Sequence, residues 1–365
     1  MKKIILPLLV LMALSILPSC SEKFSVAAPY KSITVVYGLL DKSDTAHYIR
    51  IQKAFLDDAK SALAMAKEAD SSFFNNINVK IKRISMSGNL LDTIHLNRVD
   101  LTAEGYPKEA GTFFNSPNYA YKFKGALNAN YIYRIVVSNA ATGEVDSAEA
   151  PIIDNTAALS SFYIYYIDDT ASNPQFEFAN NSPYQKTEII SRYLAASNYN
   201  YNGGATPAMV AQAFIRFHWV DSNIVTGLIA SKSYDYNLGY KDLSSFQNKF
   251  FTYQVPNTDM YNAINTAMVR APENTVRLMD RCELLMYLGT EDFYNYIKVE
   301  ALQGTGLTGN EIQPTFTNLK GANVLGLYTS RCMRKGYVTI TNNTIQALKI
   351  SDVVAAQRIV GTVYH

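Results

Sequence analysis

The sequence predicts a mainly β protein, with a β-sandwich in its first half followed by a larger β-rich domain that has one or two short helices. Three observations support this fold class. The 365 residues include 26 tyrosines, and tyrosine favours half-buried, pleated strands. Short runs of alternating polar and apolar residues recur between Gly, Asn and Pro positions, as in strands joined by turns. Hydrophobic residues make up 48% and charged residues 18% of the chain, which is typical of a packed globular protein.

The first residues have the pattern of a secretory signal. Lys2 and Lys3 precede an apolar run over residues 4–17, and the small residue Ser19 follows that run. The run has about 14 residues, fewer than the roughly 20 that a membrane-spanning helix needs. Residues 1–20 are therefore predicted to be a signal peptide and not a membrane span.

The end of this signal, Leu17-Pro18-Ser19-Cys20, resembles the lipobox of bacterial lipoproteins. In those proteins the cysteine becomes the lipidated first residue of the mature chain. The resemblance implies that Cys20 is lipidated and that residues 21–31 form a tether. The alternative is an ordinary signal peptide in which the cysteine has no such role.

Residues 32–154 carry the strand patterns of a β-sandwich. Seven short strands within about 120 residues, separated by turn signals, are typical of that architecture. An alanine-rich segment near residues 57–69 has the spacing of a helix inserted between two strands, as a contact surface or as a lid over one end of the sandwich. The predicted strands cover residues 33–40, 47–52, 77–84, 90–96, 119–123, 131–137 and 146–152.

A local pattern specifies the type of sandwich. In Leu127-Asn128-Ala129-Asn130-Tyr131-Ile132-Tyr133 a leucine precedes a strand tyrosine by several residues. This resembles the tyrosine corner of fibronectin type III and other immunoglobulin-like domains, in which the tyrosine hydroxyl satisfies a backbone group. Tyr133 is the candidate by spacing, and Tyr131 is the alternative. The resemblance implies an immunoglobulin-like or fibronectin III-like fold for this part of the chain.

Residues 155–365 are predicted to form the second, larger domain, with the boundary at Asp154-Asn155-Thr156. Residues 214–220 and 276–337 have strand patterns, and residues 353–364 form a short apolar tail. A helix is predicted over residues 258–269, with Asn257 or Thr258 as its cap. Its apolar stripe would consist of Met260, Ile264 and Met268.

Two segments rich in tyrosine and asparagine, residues 198–204 and 234–240, are predicted to be loops. Aromatic rings with amide neighbours can stack on sugar rings or anchor a protein interface. The alternative is that these loops only cover the end of a β domain. The candidate contact residues are Tyr199, Tyr201, Tyr234, Tyr236 and Tyr240.

Cys282 and Cys332 are the two cysteines that remain besides Cys20. Cys282 alternates with Leu284, Met286 and Leu288, so it belongs to the apolar face of a predicted strand. The secretory route permits disulfides. A Cys282–Cys332 disulfide and two buried thiols therefore both remain open.

The sequence predicts no catalytic residue, no metal site and no cofactor. None of the four histidines lies at metal-ligand spacing from another, and neighbouring carboxylates such as Asp168 and Asp169 point to opposite faces of a strand. Phosphate-loop, dinucleotide and nucleophile-elbow motifs are absent. The 33 basic and 31 acidic residues are scattered, and the lack of a basic run argues against nucleic acid.

Three motifs carry a family resemblance. They are Tyr37-Gly38-Leu39, the segment 289–296 with Tyr294-Asn295-Tyr296 as a strand, and Asn318-Leu319-Lys320-Gly321 followed by Gly326-Leu327-Tyr328. Together with the lipobox they look like a family of uncharacterised outer-membrane lipoproteins of Bacteroidota. Ala322 stands where that family has a second glycine. Its members often neighbour TonB-dependent receptors, and the family offers no catalytic residues.

These observations lead us to expect a non-enzymatic, lipid-anchored protein on the cell surface or the periplasmic face of the outer membrane. The resemblance implies a role beside a TonB-dependent transporter, which we expect the protein to assist in nutrient capture. The aromatic loops make a glycan one ligand class. One alternative is a structural part of a machine for adhesion, secretion or gliding. Another is a glycan-acting hydrolase.

Overall fold

The computed structural model describes residues 33–54, 61–153, 159–166, 175–179, 186–193, 208–243, 250–268, 270–303, 316–350 and 358–363. The signal, Cys20, the tether, Tyr199 and Tyr201 lie outside these ranges. Within them the chain forms eighteen strands and five helices, so the predicted mainly β fold class is confirmed. None of the described helices is long and apolar enough to cross a membrane.

The first part of the chain contains eight strands and two helices of four residues. The helices are α1 (Ala62–Met65) and α2 (Ala69–Ser72). The strands are β1 (Ile33–Asp41), β2 (Ala46–Ala54), β3 (Ile77–Ser85), β4 (Leu90–His95), β5 (Asn97–Asp100), β6 (Tyr119–Lys124), β7 (Tyr131–Asn139) and β8 (Val145–Pro151).

The second part contains ten strands and three longer helices. The helices are α3 (Asn257–Ala267), α4 (Glu291–Gln303) and α5 (Asn342–Ile350). The strands are β9 (Leu159–Tyr166), β10 (Gln175–Phe176), β11 (Lys186–Tyr193), β12 (Val210–Asn223), β13 (Ile229–Asp242), β14 (Phe250–Pro256), β15 (Thr275–Met279), β16 (Cys282–Gly289), β17 (Val324–Ile340) and β18 (Ile359–Thr362).

One large sheet runs through both parts. Its strand order is β18-β15-β12-β16-β17-β1-β2-β6-β5, with β13 paired to β12 and β10 to β17. A four-stranded sheet, β4-β3-β7-β8, packs on the end formed by β1, β2, β5 and β6. The shared core of these layers includes Val36, Ile49, Ile81 and Ile135. The first part is therefore a sandwich, as predicted, and its immunoglobulin or fibronectin type stays a prediction.

The second core lies on the same side of the large sheet, under β12, β16 and the distal half of β17. It contains Phe217 and Met286 from the sheet, together with one face of α3. The helix predicted over residues 258–269 is confirmed, because Met260, Ile264 and Met268 are all buried in this core. Its predicted cap is wrong, since the cap residue is Pro256 and no side chain bonds to the free amides there.

Strand β17 connects the two cores. Its proximal half, from Val324 to Arg331, pairs in parallel with β1, and its distal half pairs with β16. Tyr328 lies in the first core and Cys332 in the second. Residues 32–154 therefore do not complete the first sandwich by themselves, because that sandwich takes a strand from the end of the chain.

The chain changes from one core to the other at two adjacent residues, Ile152 and Ile153. Ser330 of β17 fixes this point. Its hydroxyl donates to the carbonyl oxygen of Pro151 at 2.6 Å and accepts from the amide of Ile153 at 3.1 Å. The predicted boundary at residue 154 thus lies one residue beyond the crossover, although the division into two domains stays a prediction.

The two glycine motifs noted in the sequence meet in the β1–β17 pair. Gly38 lies opposite Tyr328, and a Cβ on Gly38 would lie only 2.7 Å from Cδ2 of that ring. Gly326 lies opposite Val36 with φ +115°, and a Cβ there would overlap the carbonyl oxygen of Val36. Because glycine has no side chain, each of these residues allows the opposite strand to approach closely.

The tyrosine-corner contact is present at the residue predicted. Tyr133 is buried, and its hydroxyl accepts a hydrogen bond from the amide of Asn128 at 2.9 Å. Leu127 is buried beside it in the first core. A backbone donor that the sharp turn before β7 would leave unpaired is thus satisfied.

The predicted helical insertion near residues 57–69 appears in its described part as two short helices, α1 and α2, with residues 55–60 outside the described ranges. One predicted element is wrong. The predicted Tyr294-Asn295-Tyr296 strand is part of α4. Thr290 begins that helix, since its hydroxyl accepts from the amide of Phe293 at 3.4 Å, and Glu291 and Asp292 occupy the first turn, where carboxylates are favoured.

Replacing Gly326 with alanine should destabilise the protein strongly. The variant incurs both the left-handed backbone cost and the overlap with Val36, on the order of 3 kcal/mol together. Gly143→Ala is the matched control, because Gly143 also has a positive φ but has open space around it. That control should lose only about 1 kcal/mol. Urea unfolding measures both, and equal losses would contradict this account of the β1–β17 contact.

Candidate functional site

The outer face of the large sheet, opposite the second core, carries aromatic and basic side chains. In β16 the buried residues Cys282, Leu284, Met286 and Leu288 point inward, so Glu283 and Tyr287 point outward. The same alternation in β12 and β17 places their outward residues beside these. We call the set the aromatic–basic face: Phe214, Arg281, Tyr287, Arg331, Lys335 and Tyr337.

The rings of this face contact each other and carry cations. Phe214 meets Tyr287 edge to face, with ring centroids 5.9 Å apart. The Arg331 guanidinium lies 5.1 Å from the centre of the Tyr287 ring. Tyr337, which is 53% exposed, has Arg281 and Lys335 each 5.5 Å from its ring centre. Such cation–π contacts hold long side chains in place while leaving ring edges and ammonium groups accessible.

An ion-pair network lies along one side of this face. Arg216 bonds Asp235 through two nitrogens, at 2.6 and 2.8 Å, and its Nη1 lies 3.5 Å from Glu283. His218 Nε2 lies 3.2 Å from the same glutamate. Glu283 therefore joins β16 to Arg216 and His218 of β12 and lies 4.0 Å from Lys335 on β17.

The network keeps both carboxylates ionised. The hydrogen bonds from Arg216 lower the pKa of Asp235. Burial acts to raise the pKa of Glu283, but hydrogen bonds from His218 and Tyr337 outweigh it and the pKa is lowered. A general acid must hold a proton near neutral pH, which neither group is placed to do.

The described members of the predicted tyrosine set do not form one patch. Tyr234 and Tyr236 lie in strand β13, not in a loop, and are partly buried against the second core because they pair with Phe217 and Ile215. Tyr240 lies opposite Gln212 beyond a bulge and is 44% exposed. The loop prediction for residues 234–240 is wrong, because the Tyr-x-Tyr alternation there is a strand signal, and residues 198–204 lie outside the described ranges.

The aromatic–basic face was missed in the sequence, although one signal could have located part of it. The alternation of Cys282 with Leu284, Met286 and Leu288 assigns Tyr287 to the opposite face of the same strand. The antiparallel register with β17 brings Arg331 beside Tyr287 and places Tyr337 opposite Glu283. That register joins residues about fifty positions apart, and no local pattern shows it.

Cys282 and Cys332 are both buried and do not form a disulfide with each other. They lie on neighbouring strands, but Cys332 pairs with Leu288 and Cys282 pairs with Val338. Six residues of strand separate them, about 20 Å at ~3.3 Å per residue. A disulfide needs Cα atoms about 4.4–6.8 Å apart. Of the two alternatives, the buried thiols are correct, and burial raises the pKa of Cys282.

A cavity lies at the edge of the first sandwich, near the start of α4. Its volume is about 340 Å³, and two carboxylates line it, Glu149 and Asp292. Arg134 Nε donates to Glu149 at 2.8 Å, and the Asn318 amide donates to Asp292 at 2.8 Å. Its other lining residues are Ser147, Ala148 and Lys320.

Asn318, from the Asn318-Leu319-Lys320-Gly321 motif noted in the sequence, has a structural role here. Its side chain donates to the carbonyl of Tyr328 at 2.8 Å and accepts from the amide of the same residue at 3.0 Å. The Asn318 side-chain amide thus pairs with the backbone of β17 at Tyr328, beyond the point where the pairing of β17 with β16 ends. The adjacent Lys320 exchanges backbone hydrogen bonds with Ser147 and closes the sandwich edge between β17 and β8.

No protein-family model and no curated protein matches the chain. Solved structures with similarity include the C-terminal globular domain of an oligosaccharyltransferase from Pyrococcus abyssi, with 7% identity, 69% of this chain and 45% of that chain covered, and a TM-score of 0.26. Trypsin-activated alpha-2-macroglobulin from Escherichia coli has 11% identity, with 74% of this chain and 15% of that chain covered and a TM-score of 0.20. The BSP domain of a biofilm-associated protein has 8% identity, with 90% of this chain and 65% of that chain covered and a TM-score of 0.15. The chain spans less than two thirds of each, and these scores identify no fold family.

The described residues contain no group of three or more His, Cys, Asp or Glu side chains that could hold a metal ion. Glu283, beside the aromatic–basic face, lies within ion-pair distance of Arg216 and Lys335 and 3.2 Å from His218.

Replacing Glu283 with glutamine should change the acid dependence of stability. The folded state holds the pKa of Glu283 below its unfolded value of about 4.3, so its stabilisation is present above that pH and is lost as the pH falls through the lower folded pKa. Glu283→Gln should cost about 1 kcal/mol at neutral pH and flatten the loss of stability below about pH 4.5.

The control is Glu273→Gln, which removes an exposed carboxylate in the turn before β15. The stability of the wild type, Glu283→Gln and Glu273→Gln is measured by thermal unfolding between pH 3 and pH 7, in steps of about half a pH unit. If the acid limbs of wild type and Glu283→Gln coincide, Glu283 is not held by the network described here.

Proposed function

We propose that this chain is a lipid-anchored binding or accessory protein of the outer membrane, that it is not an enzyme, and that it contacts its partner through the aromatic–basic face. The observation that carries the proposal is that face itself. Tyr337, which is 53% exposed, lies on a rigid sheet beside Arg281 and Lys335, and the rings of Phe214 and Tyr287 are partly buried on the same face. Aromatic residues and arginine are the types most enriched at the energetically important centres of interfaces.

The partner we propose is a TonB-dependent transporter, which the chain would assist in nutrient capture. The lipobox and the glycine motifs support this, through the family resemblance. A tether of residues 21–31 would reach at most about 35–40 Å from a lipid on Cys20 when extended. That is long enough for the sheet to lie against a barrel in the same membrane.

The experiment is a pull-down of the lipidated chain from its native outer membrane, with captured proteins identified by mass. We expect a stoichiometric TonB-dependent barrel, and we expect Tyr337→Ala to reduce its recovery about tenfold, since a central aromatic contact is worth roughly 1.4 kcal/mol or more. Tyr337 is exposed and fills no core, so its loss should leave the fold intact.

The matched control is Tyr106→Ala. Tyr106 is 58% exposed and lies in the segment between β5 and β6, away from the face. Equal recovery by wild type and Tyr337→Ala would remove this face from the interface. Recovery of adhesion, secretion or gliding components would place the chain in a surface machine, and recovery of the chain alone would contradict both interpretations.

A second candidate function, a glycan-acting hydrolase, is favoured by one observation, the pair Glu149 and Asp292 in the edge cavity. Glycoside hydrolysis needs two carboxyl groups about 5–10 Å apart across a cleft. If the cavity is catalytic, Glu149→Gln and Asp292→Asn should each lower hydrolysis of glycans from the cell's medium by 100-fold or more. We expect the wild-type protein to hydrolyse no glycan. Hydrolysis by the wild type that is lost in both variants would contradict the proposal that the protein is not an enzyme.

A further inference from the structure

A second cavity lies on the outer side of the first sandwich. It is formed between β1 and β2 of the large sheet and a cover made of α2 and residues 101–118. Its volume is about 250 Å³, below the ~300–1,000 Å³ of sites for whole drug-sized ligands, so it suits one end of a ligand. The lining residues are Val35, Arg50, Gln52, Lys53, Ser72, Lys108, Phe113 and Phe114.

The cover is held in place by its own contacts. Phe73, directly after α2, packs edge to face on Phe114 and on Tyr119, with centroids 5.5 and 5.2 Å apart. The amide of Phe114 donates to the carbonyl oxygen of Ala66 at 2.9 Å. The helical insertion and the 101–118 segment therefore form one wall, and the cavity is a built feature of the sandwich.

The charges in this cavity are all positive. Arg50, Lys53 and Lys108 line it, and its lining contains no carboxylate. Arg50 donates to the neutral amide oxygen of Asn118 at 2.7 Å, and Lys108 Nζ donates to the carbonyl oxygen of Phe114 at 2.8 Å. Across the ranges that the structure describes, no acidic side chain forms an ion pair with any of these three cations.

Partly burying two cations together is unfavourable. Burial lowers the pKa of Arg50, and burial followed by the charge of Arg50 lowers the pKa of Lys108. Elsewhere in the protein the buried cation Arg277 is paired with Asp221 at 2.8 Å. A partly buried group without an opposite charge gains most from an anion that enters beside it.

We propose that this cavity binds the anionic end of a ligand, a carboxylate or phosphate group, whose apolar or aromatic part packs on Phe113 and Phe114. The guanidinium of Arg50 and the ammonium of Lys108 supply charge-assisted hydrogen bonds to the anion. Gln52 and Ser72 add neutral donors. Phe113, 55% exposed at the rim, is placed to contact the part of the ligand that extends outward.

The test is calorimetric titration of the full-length chain, in a non-ionic detergent, with four probes. These are benzoate, phenyl phosphate, inorganic phosphate and the uncharged benzamide. We expect one or both aromatic anions to bind, and benzamide to bind at least tenfold more weakly. Binding of inorganic phosphate at the affinity of phenyl phosphate would remove the apolar contact from the proposal and would leave the charge contact.

Lys108→Gln and Arg50→Gln should each weaken anion binding tenfold or more. Because Arg50 also bonds Asn118, Arg50→Lys tests folding separately and should retain part of the affinity. Lys82→Gln removes the same charge from β3, in the other sheet, and should leave binding unchanged. The proposal is overturned if no aromatic anion binds, if benzamide binds as well as benzoate, or if Lys108→Gln binds like wild type.

Discussion

The parallel pairing of β1 with β17 is the contact on which the rest of the structure depends. It joins the first described strand to one nearly three hundred residues later, so its closure costs much chain entropy. Two glycines make the close approach possible, since Gly38 faces Tyr328 and Gly326 faces the backbone of Val36. Without this pair the first sandwich would lose a strand and Tyr328 would leave its core.

This pairing also determines where the candidate surfaces lie. Because β1 and β17 belong to one sheet, the same side faces inward in both cores, and the opposite side is continuous from β2 to β12. The aromatic–basic face and the cationic cavity are both on that opposite side. Asp41 and Arg331, 3.4 Å apart, lie where β17 changes its partner from β1 to β16, and Arg331 also belongs to the aromatic–basic face.

Sequence patterns predicted the local features well and the long-range ones poorly. Alternation located most strands of the first sandwich, and spacing selected Tyr133 over Tyr131 for the corner contact. The two glycine motifs were noted as separate patterns, because parallel register cannot be derived from either strand alone. Likewise, Tyr287 could be assigned to an outward face, but its neighbour Arg331 could not, since only tertiary pairing brings them together.

The two surfaces differ in how their charges are balanced, and this difference suggests different kinds of contact. Glu283 is already the partner of Lys335 on the aromatic–basic face and of Arg216 beside it, so we expect binding there to come mainly from rings and shape. In the cavity, Arg50 and Lys108 bond neutral oxygens and no carboxylate of the described ranges pairs with either, so an entering anion would add a charge interaction. Contacts at the face should therefore tolerate salt, whereas anion binding in the cavity should weaken as ionic strength rises.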